Sequence, residues 1–422
     1  MKEPTSPLHL PEYRLFWLAR CMLTLATTGM IVIMGYQLYD LARSVYGMSI
    51  AHASFQLGIL GLVQFLPMLL LTPVAGLMAD RYDRRTVTMA AIAIDLLVIL
   101  ALAATTYQGA LSLPLLFALG AAHGMARVFT APAMSAIAPN IVPPALLPKA
   151  IALNSIAWQS GTVAGPAAAG LLYASNASLP YWLAAILAGL SLLAMLGIRR
   201  LPPPEGNRRE PPLSLMAGGA RFVWNDRFLL GCISLDLFAV LLGGATALLP
   251  VYARDILHVG PEGLGQMRAA PAVGAALVAL WLSFRPTAHN VGAKMLWAVA
   301  IFGAATAAFG ISRNFALSLA LLALLGAADM VSVFIRSSLV QLNTPDDKRG
   351  RVQSISSLAI SASNELGEMQ SGFAAALLGV TGAVVFGGVG AIVITGLWAI
   401  VFPELRKART FAPQFHQKEH DP

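Results

Sequence analysis

The sequence predicts an all-α membrane protein of twelve transmembrane helices, arranged as two pseudo-symmetric halves of six helices each. Hydrophobic residues make up 57% of the 422 residues and charged residues only 11%, whereas soluble domains carry about 25% charged residues. Apolar runs of about 20 residues, the length that crosses a bilayer, recur along the chain. A polar, proline-rich stretch separates the sixth of these runs from the seventh.

The predicted spans are bounded by glycine, proline and charged residues. They cover residues 15–42, 54–79, 87–106, 112–137, 150–173, 179–198, 228–253, 262–284, 292–311, 315–341, 352–378 and 381–402. The chain is therefore predicted to have four parts: an N-terminal six-helix half (1–198), a cytoplasmic linker (199–227), a C-terminal six-helix half (228–403) and a cytoplasmic tail (404–422). Within the linker, Leu213 to Trp224 predicts a short helix at the membrane interface.

The distribution of basic residues predicts that both termini are cytoplasmic. With that orientation, the outer loops hold only Arg43, Arg254 and Arg313 of the 28 lysine and arginine residues, in agreement with the positive-inside bias. Topology thus accounts for the net charge of +8, and no nucleic-acid partner is expected. The two cysteines, Cys21 and Cys232, are too few for a disulfide framework or a metal cluster.

A dense charge cluster, Gly76 to Arg85, joins the second and third predicted spans. The small Gly76 would let a neighbouring helix come close, and the basic residues would hold the loop in the cytoplasm. The spacing G-x-x-x-D-R-x-x-R-R resembles the loop signature of the major facilitator superfamily, a large family of secondary transporters, with Asp83 at the position of the family's second glycine. A basic loop that only fixes topology is the alternative. The resemblance implies gating roles for Gly76, Asp80, Arg81, Arg84 and Arg85 and, at the facing start of the eleventh span, for Arg351.

A repeated pattern relates the two predicted halves. The pattern L-G-x-x-Q-x-x-P, which begins at Leu60 in the second span, recurs as L-G-x-x-R-x-x-P, which begins at Leu264 in the eighth. Two halves in parallel duplication match the architecture of facilitator-type transporters, in which the substrate site lies near the midplane between the halves.

The fifth predicted span carries a face of small residues formed by Gly161, Gly165 and Gly170, with alanines between them. Such a face lets another helix pack closely, and Pro166 removes a backbone hydrogen bond and kinks the helix. The pattern resembles the antiporter signature of drug-exporting members of the superfamily, with Ala152 in place of its upstream glycine. Close packing with no role in antiport is the alternative.

Ionisable residues inside spans cost about 2.5–3.5 kcal/mol on insertion scales, so each is a candidate for function. Glu365 and Glu368 lie three residues apart in the eleventh span and share one helix face. Two neighbouring carboxylates in low dielectric do not both ionise readily, so the pair can hold and release a proton. Proton coupling is the function that this pair favours.

Two further acids, Asp236 and Asp329, are also proton-coupling candidates. Asp329 shares a helix face with Arg336, seven residues later, and a buried ion pair that only fixes the rotation of the helix is the alternative. Asp95 and His123 are weaker candidates, because the third span is peripheral in this architecture and a lone histidine is more often structural.

Polar residues that face the centre of the architecture would line a substrate site. They offer hydrogen-bond donors, an aromatic face and cations, and the set comprises Gln37, Gln64, Arg127, Asn154, Trp158, Arg268 and Arg336. Such a cavity suits an amphipathic, aromatic or anionic small molecule better than a sugar.

Three more stretches, Ala152 to Ser155, Leu249 to Asp255 and Asn364 to Gly372, resemble the enterobactin-exporter and secretion-effector branch of the superfamily. The resemblance implies proton-coupled efflux of a siderophore or drug-like molecule across the bacterial inner membrane by alternating access. A lipid or lysophospholipid flippase of the same fold is one alternative. A membrane receptor or scaffold that does not transport is another.

The sequence contains no nucleotide-binding loop, metal-ligand cluster or Ser/His/Asp arrangement in a plausible context. We therefore expect no enzymatic activity, no catalytic residue, no metal and no cofactor. The expected partners are the small-molecule substrate, protons and the lipid bilayer, and the expected oligomeric state is a monomer.

Overall fold

The structure is a computed structural model that describes residues 6–201, 212–284 and 289–411, with only the backbone of residues 79, 80, 212–216, 346 and 347. Within these ranges the chain is helical and contains no β-strand. Ten helices of the described chain are long and apolar enough to cross a membrane. The predicted fold class, an all-α membrane protein, is confirmed.

The long helices follow the predicted spans in order. Those before the linker are α1 (Pro11–Ser44), α2 (Ile50–Arg81), α3 (Arg84–Tyr107), α4 (Leu113–Ser135), α5 (Leu147–Ser175) and α6 (Leu179–Leu196). Those after it are α7 (Arg227–Leu242), α8 (Gly260–Phe284), α9 (Val291–Ile311), α10 (Phe315–Leu342) and α11 (Asp346–Val401). Between the two sets lies a short helix, Pro212–Asn225, which we call the linker helix.

Local sequence signals explain where several helices begin. Asp83 precedes α3, and its side chain accepts a hydrogen bond from the Arg85 backbone N–H. Asp226 and Asn314 occupy the same position before α7 and α10, where their side-chain oxygens accept backbone N–H groups of the first turn. Such N-caps satisfy donors that the helix itself leaves without partners.

Gly379 divides α11 into two helical segments. Its backbone has φ 73° and ψ 162°, a conformation that is open essentially to glycine alone. The sequence predicted two spans here, with a break between residues 378 and 381. The single candidate span Lys348–Val401 therefore contains two helices. Because α5 is 29 residues long but is not among the ten candidates, the count of twelve spans stays a prediction.

The seventh span is discontinuous, although the sequence predicted one unbroken helix over residues 228–253. After α7 ends, Gly243 and Gly244 lead into a 3₁₀ turn, Ala245–Leu248, and the chain later forms a π-helical turn, Tyr252–Ile256. A Cβ atom on Gly243 would lie 2.6 Å from the Phe302 ring. The break is therefore packed so closely against its neighbours that only glycine fits.

The fold consists of two compact units. The first comprises Met1–Ser49, Ile59–Asn207 and Pro250–Ala269, and the second comprises Ile50–Gly58, Arg208–Leu249 and Ala270–Pro422. The buried core of the first unit includes Tyr13, Phe16 and Ile92. That of the second unit includes Leu229 and Met295. The boundaries predicted for the two sequence halves, the linker and the tail stay predictions, and residues 202–211 and 412–422 lie outside the described part of the chain.

Candidate functional site

A buried ion pair links α7 to α10 within the second unit. The guanidinium group of Arg336 contacts the carboxylate of Asp236, and the two residues are only 4% and 7% exposed. Removing one partner of such a pair leaves an uncompensated buried charge, at a cost of about 3–5 kcal/mol. The pair therefore fixes the position of α10 against α7.

Asp329 lies two helical turns before Arg336 on α10 and shares a small cavity of about 10 Å³, room for about one water molecule, with Asp236. Ser332 also lines the cavity, and the remaining lining residues are apolar. Among the described residues, none forms a hydrogen bond or ion pair with the Asp329 carboxyl group, and Arg336 pairs with Asp236 instead. The cavity thus combines two acids, of which Asp236 is already paired with Arg336.

The other predicted acid pair lies on a neighbouring helix of the same unit. Glu365 and Glu368 are half-buried on α11, and both interact with other groups of the protein. Gly367, between them, packs against the end of α7, where an added Cβ would lie 2.9 Å from the Val240 carbonyl oxygen. Val240 also lines the cavity of Asp329. The structure thus brings the four predicted acids to three helices that meet at the end of α7.

Two of the predicted substrate-binding residues, Gln37 and Gln64, are buried in the first unit. The Gln37 amide donates to Thr106 Oγ1 at 3.1 Å and accepts from the Tyr181 hydroxyl at 2.7 Å, which ties α1 to α3 and α6. The Gln64 amide donates to the Met34 sulfur at 3.7 Å. In this structure both side chains serve contacts between helices.

The remaining predicted substrate-binding residues present more accessible groups. Trp158 is 54% exposed on α5. Asn154, one turn earlier, is half-buried, and its Oδ1 atom has no hydrogen-bond partner among the described residues. Arg127 and Arg268 are half-buried and interact with other groups of the protein. Asn154 and Trp158 thus offer an acceptor and an aromatic face.

The small-residue face of α5 packs against two helices. A Cβ on Gly161 would lie 2.6 Å from the Thr24 side chain of α1, and one on Gly165 would lie 2.7 Å from the Leu25 carbonyl oxygen. Thr28 of α1 donates to the Gly161 carbonyl at 2.8 Å. Further along α5, a Cβ on Gly170 would lie 3.1 Å from the Cα atom of Gly265 on α8.

Pro166 belongs to this second contact. A Cβ on Gly265 would lie 2.6 Å from the Pro166 carbonyl oxygen. The face that the sequence singled out is therefore in backbone contact with α1 on one side and with α8 on the other. Glycine-mediated approach of this kind is typical of tightly packed membrane helices.

Two arginines of the charge cluster, at the first two positions of α3, bind helix ends within the first unit. Arg85 donates to the carbonyl oxygens of Met195 and Leu196 at 3.0 and 2.9 Å. Arg84 donates to the Ala136 carbonyl at 3.1 Å. Cations suit helix C-termini, whose last carbonyls lack partners within the helix. These two arginines therefore tie the start of α3 to the ends of α4 and α6.

The remaining predicted gating residues are Gly76, Asp80, Arg81 and Arg351. A Cβ on Gly76 would meet no atom within 4 Å among the described residues, so no helix packs closely there in this structure. Arg81 and Arg351 are exposed. The side chain of Asp80 lies outside the described part of the structure. Its gating role stays a prediction.

A second charge cluster, on the predicted outer side of the first unit, was missed by the sequence analysis. Arg254 binds Asp40 with 2.9 Å between Nη1 and Oδ1. Arg43 lies 3.4 Å from the Asp255 carboxylate, which also accepts a hydrogen bond from the Tyr39 hydroxyl. We call these five residues the outer cluster. The sequence signal for this cluster is the order of the charged residues. An acid precedes a base at the end of α1, and a base precedes an acid after α7.

Asp95 and His123 form a buried pair between α3 and α4. His123 Nδ1 lies 2.7 Å from Asp95 Oδ1, and both side chains are almost fully buried. The other ring nitrogen of His123 has no partner among the described residues. The two residues are separate candidates in the sequence, because a single sequence gives no sign that they meet.

The described chain contains no group of three or more histidine, cysteine, aspartate or glutamate side chains that could hold a metal ion. Buried charges, close helix packing and a small cavity characterise the site. Its features resemble those of a transporter, in which buried ionisable residues and closely packed helices accompany substrate movement.

Comparisons with known proteins place the chain in a family. The sequence profile of the Major Facilitator Superfamily matches residues 16–364. Enterobactin exporters EntS from Escherichia coli O1:K1 and Citrobacter koseri are 28% and 27% identical over 378 residues, which cover 89% of this chain and 86% of each relative.

Solved structures show the same fold. A POT family transporter in complex with 5-aminolevulinic acid has a TM-score of 0.74 at 13% identity. The alignment covers 94% of this chain and 96% of that transporter. A bacterial homolog of the human lysosomal transporter Spinster, in an inward-facing and unoccupied conformation, has a TM-score of 0.71 at 14% identity, with coverage of 94% and 97%. At these identities the similarity concerns the fold alone.

Proposed function

Since this chain belongs to the Major Facilitator Superfamily, we propose that it is a proton-coupled exporter of a small amphipathic molecule, such as a siderophore or a drug-like compound. The family consists of transporters, so the protein is a multi-pass membrane transporter rather than an enzyme. Its similarity to enterobactin exporters supports efflux and a location in the bacterial inner membrane. Positive-inside bias supports cytoplasmic termini.

The observation that carries the proposal is the Asp329 carboxyl group beside the buried Asp236–Arg336 pair. When Asp329 holds a proton, the positive charge of Arg336 balances the negative charge of Asp236. When the proton leaves, a second negative charge stands in the same cavity and competes with Asp236 for Arg336. Asp329 is thus the group whose protonation changes the charge of the site, and Asp236 and Arg336 are its fixed partners.

This change of charge is large enough to drive a conformational cycle. An ionised side chain in the membrane interior costs about 2.5–3.5 kcal/mol on insertion scales. Since each 1.4 kcal/mol is tenfold, that cost changes the ratio of two conformations by about two orders of magnitude. A proton that binds Asp329 from outside and leaves to the cytoplasm would therefore supply the bias for alternating access.

The outer cluster supports the same cycle. It joins the end of α1, in the first sequence half, to the turn after α7, in the second. Opening of the outer side would require these ion pairs to separate, and closing would restore them. Glu365 and Glu368, next to the break after α7, are the second candidate pair for proton transfer.

The test is efflux from proteoliposomes with and without an imposed pH gradient, using enterobactin and the dye ethidium as probes. We expect at least one probe to move uphill only when the pH gradient is present. This uphill movement should be lost in Asp329→Asn. Glu262→Gln, an acid at the exposed start of α8, is the matched control and should leave transport unchanged. Gradient-dependent uphill efflux by Asp329→Asn would show that the proton binds elsewhere. Movement of a fluorescent lysophospholipid alone would favour the flippase alternative.

A further inference from the structure

A basic cleft of about 210 Å³ opens between the linker helix and the first turns of α11, within the second unit. Three of its lining residues, Arg221, Lys348 and Arg351, carry positive charge. Among the described residues that line it, none is acidic. Among these lining residues, the sequence predicts a gating role for Arg351 alone, and it predicts none for the cleft as a whole.

Two glycines of the linker helix determine the shape of the cleft. A Cβ on Gly219 would lie 2.9 Å from the Arg351 carbonyl oxygen, so the backbones of the two helices touch there. A Cβ on Gly218 would have the guanidinium group of Arg351 at 3.8 Å. The cleft is therefore a formed feature of two packed helices, with the Arg351 head group held at its wall.

The remaining walls of the cleft are formed in part by positively charged and polar side chains. Lys348 Nζ lies 4.6 Å from the centre of the Phe222 ring, a cation–π contact that holds the ammonium group at the cleft. Asn225 adds a carboxamide. An anion with several oxygen atoms, each of which can accept a hydrogen bond, matches these groups.

The position of the cleft indicates which kind of molecule would carry such an anion. Trp224, 75% exposed, stands in the linker helix between two cleft residues, and exposed tryptophan is enriched at the headgroup level of membranes. Both helices start on the predicted cytoplasmic side, whose lipid leaflet is rich in anionic headgroups. Basic pockets at this level bind phospholipid headgroups.

We infer that the basic cleft binds the phosphate group of an anionic phospholipid of the cytoplasmic leaflet. Arg221, Lys348 and Arg351 contact the phosphate oxygens, and the exposed Trp224 side chain lies among the lipid headgroups. This inference goes beyond the proposed function and depends on neither the exported substrate nor proton coupling.

The experiment uses the full chain in neutral detergent, titrated with phosphatidylglycerol or phosphatidylcholine and followed by native mass spectrometry and thermal unfolding. We expect retention of phosphatidylglycerol over phosphatidylcholine. In Arg221→Gln/Lys348→Gln the half-saturating concentration of phosphatidylglycerol should rise about tenfold to thirtyfold, because two charged donors of the phosphate site are lost. The control Arg349→Gln/Arg406→Gln removes the same charge from exposed residues on the same predicted side that do not line the cleft. In neutral detergent it should change the half-saturating concentration less than about threefold.

Each other outcome overturns the inference. Equal weakening in both double variants would mean general attraction to the basic surface rather than a site. Equal binding of the two lipids would mean that phosphate recognition at the cleft is absent. Stabilisation by inorganic phosphate or glycerol 3-phosphate that is lost in Arg221→Gln/Lys348→Gln would assign the cleft to a soluble anion instead of a lipid. Because no transport is measured, failure here leaves the proposed export untouched.

Discussion

Removing Arg336 should destabilise the protein more than any surface substitution. In Arg336→Met the Asp236 carboxylate, 7% exposed, loses its partner, and Asp329 adds a second acid to the same cavity. An uncompensated buried charge costs about 3–5 kcal/mol. The insertion scale gives a similar figure of about 2.5–3.5 kcal/mol for one charge in the membrane. We therefore expect the free energy of unfolding to fall by about 3–5 kcal/mol.

Removing both partners should recover most of that loss. Buried ion pairs replaced by apolar residues of similar volume are often neutral in stability, so Asp236→Leu/Arg336→Met should lie within about 1 kcal/mol of wild type. The coupling energy of the cycle should then exceed about 2 kcal/mol. The measurement is reversible unfolding in mixed micelles of neutral detergent and SDS, followed by tryptophan fluorescence.

A control cycle pairs Asp236→Leu with Lys294→Gln, a substitution at an exposed lysine of α9. Sites without shared partners add within about 0.5 kcal/mol. The reasoning is refuted if Arg336→Met costs less than about 1 kcal/mol, or if the double Asp236/Arg336 variant is no more stable than either single variant. The first result would mean that water or another group neutralises Asp236. The second would mean that the two charges are not energetically coupled.

Three further predictions concern packing and charge. Gly165→Leu should abolish transport and lower the unfolding temperature, because its side chain would overlap the backbone of α1, whereas Gly189→Leu, with open space around it, should leave both unchanged. Arg85→Gln should lower the free energy of unfolding by about 1 kcal/mol, since two helix-end carbonyls lose a charged donor, and an unchanged value in denaturant titration would contradict the capping role. Arg254→Asp should slow efflux by repulsion from Asp40, and the exchange Asp40→Arg/Arg254→Asp should restore it; failure of the exchange in the proteoliposome assay would show that these residues act separately.

The sequence predicted the helical course of the chain because each span is a continuous apolar run with charged or glycine-containing ends. It could not predict which charges meet. Arg336 was assigned by helical spacing to the face of Asp329, but its partner, Asp236, lies a hundred residues away on α7. Asp95 and His123 were missed as a pair for the same reason. Contacts between helices depend on rotation and register, which the apolar pattern of a buried span leaves open.

Departures from a family pattern were equally hard to interpret before the fold was known. Asp83 stands where the loop signature has glycine, and the structure gives it a different task, the N-cap of α3. The break at Gly243 and Gly244 left no sign in the apolar pattern, because its neighbours Leu241, Leu242 and Ala245 are as apolar as a continuous helix requires. Its cause is contact with Phe302 and α11, which is tertiary information.

Gly379 joins the two segments of α11 through a single non-helical residue, and both segments hold the end of α7. Gly367 of the first segment packs on the Val240 carbonyl, and Gly387 of the second packs on the Leu242 carbonyl. The end of α7 thus contacts both segments, and only one non-helical residue separates those segments. A tilt of one segment should therefore shift the other, so that both contacts with the end of α7 change together.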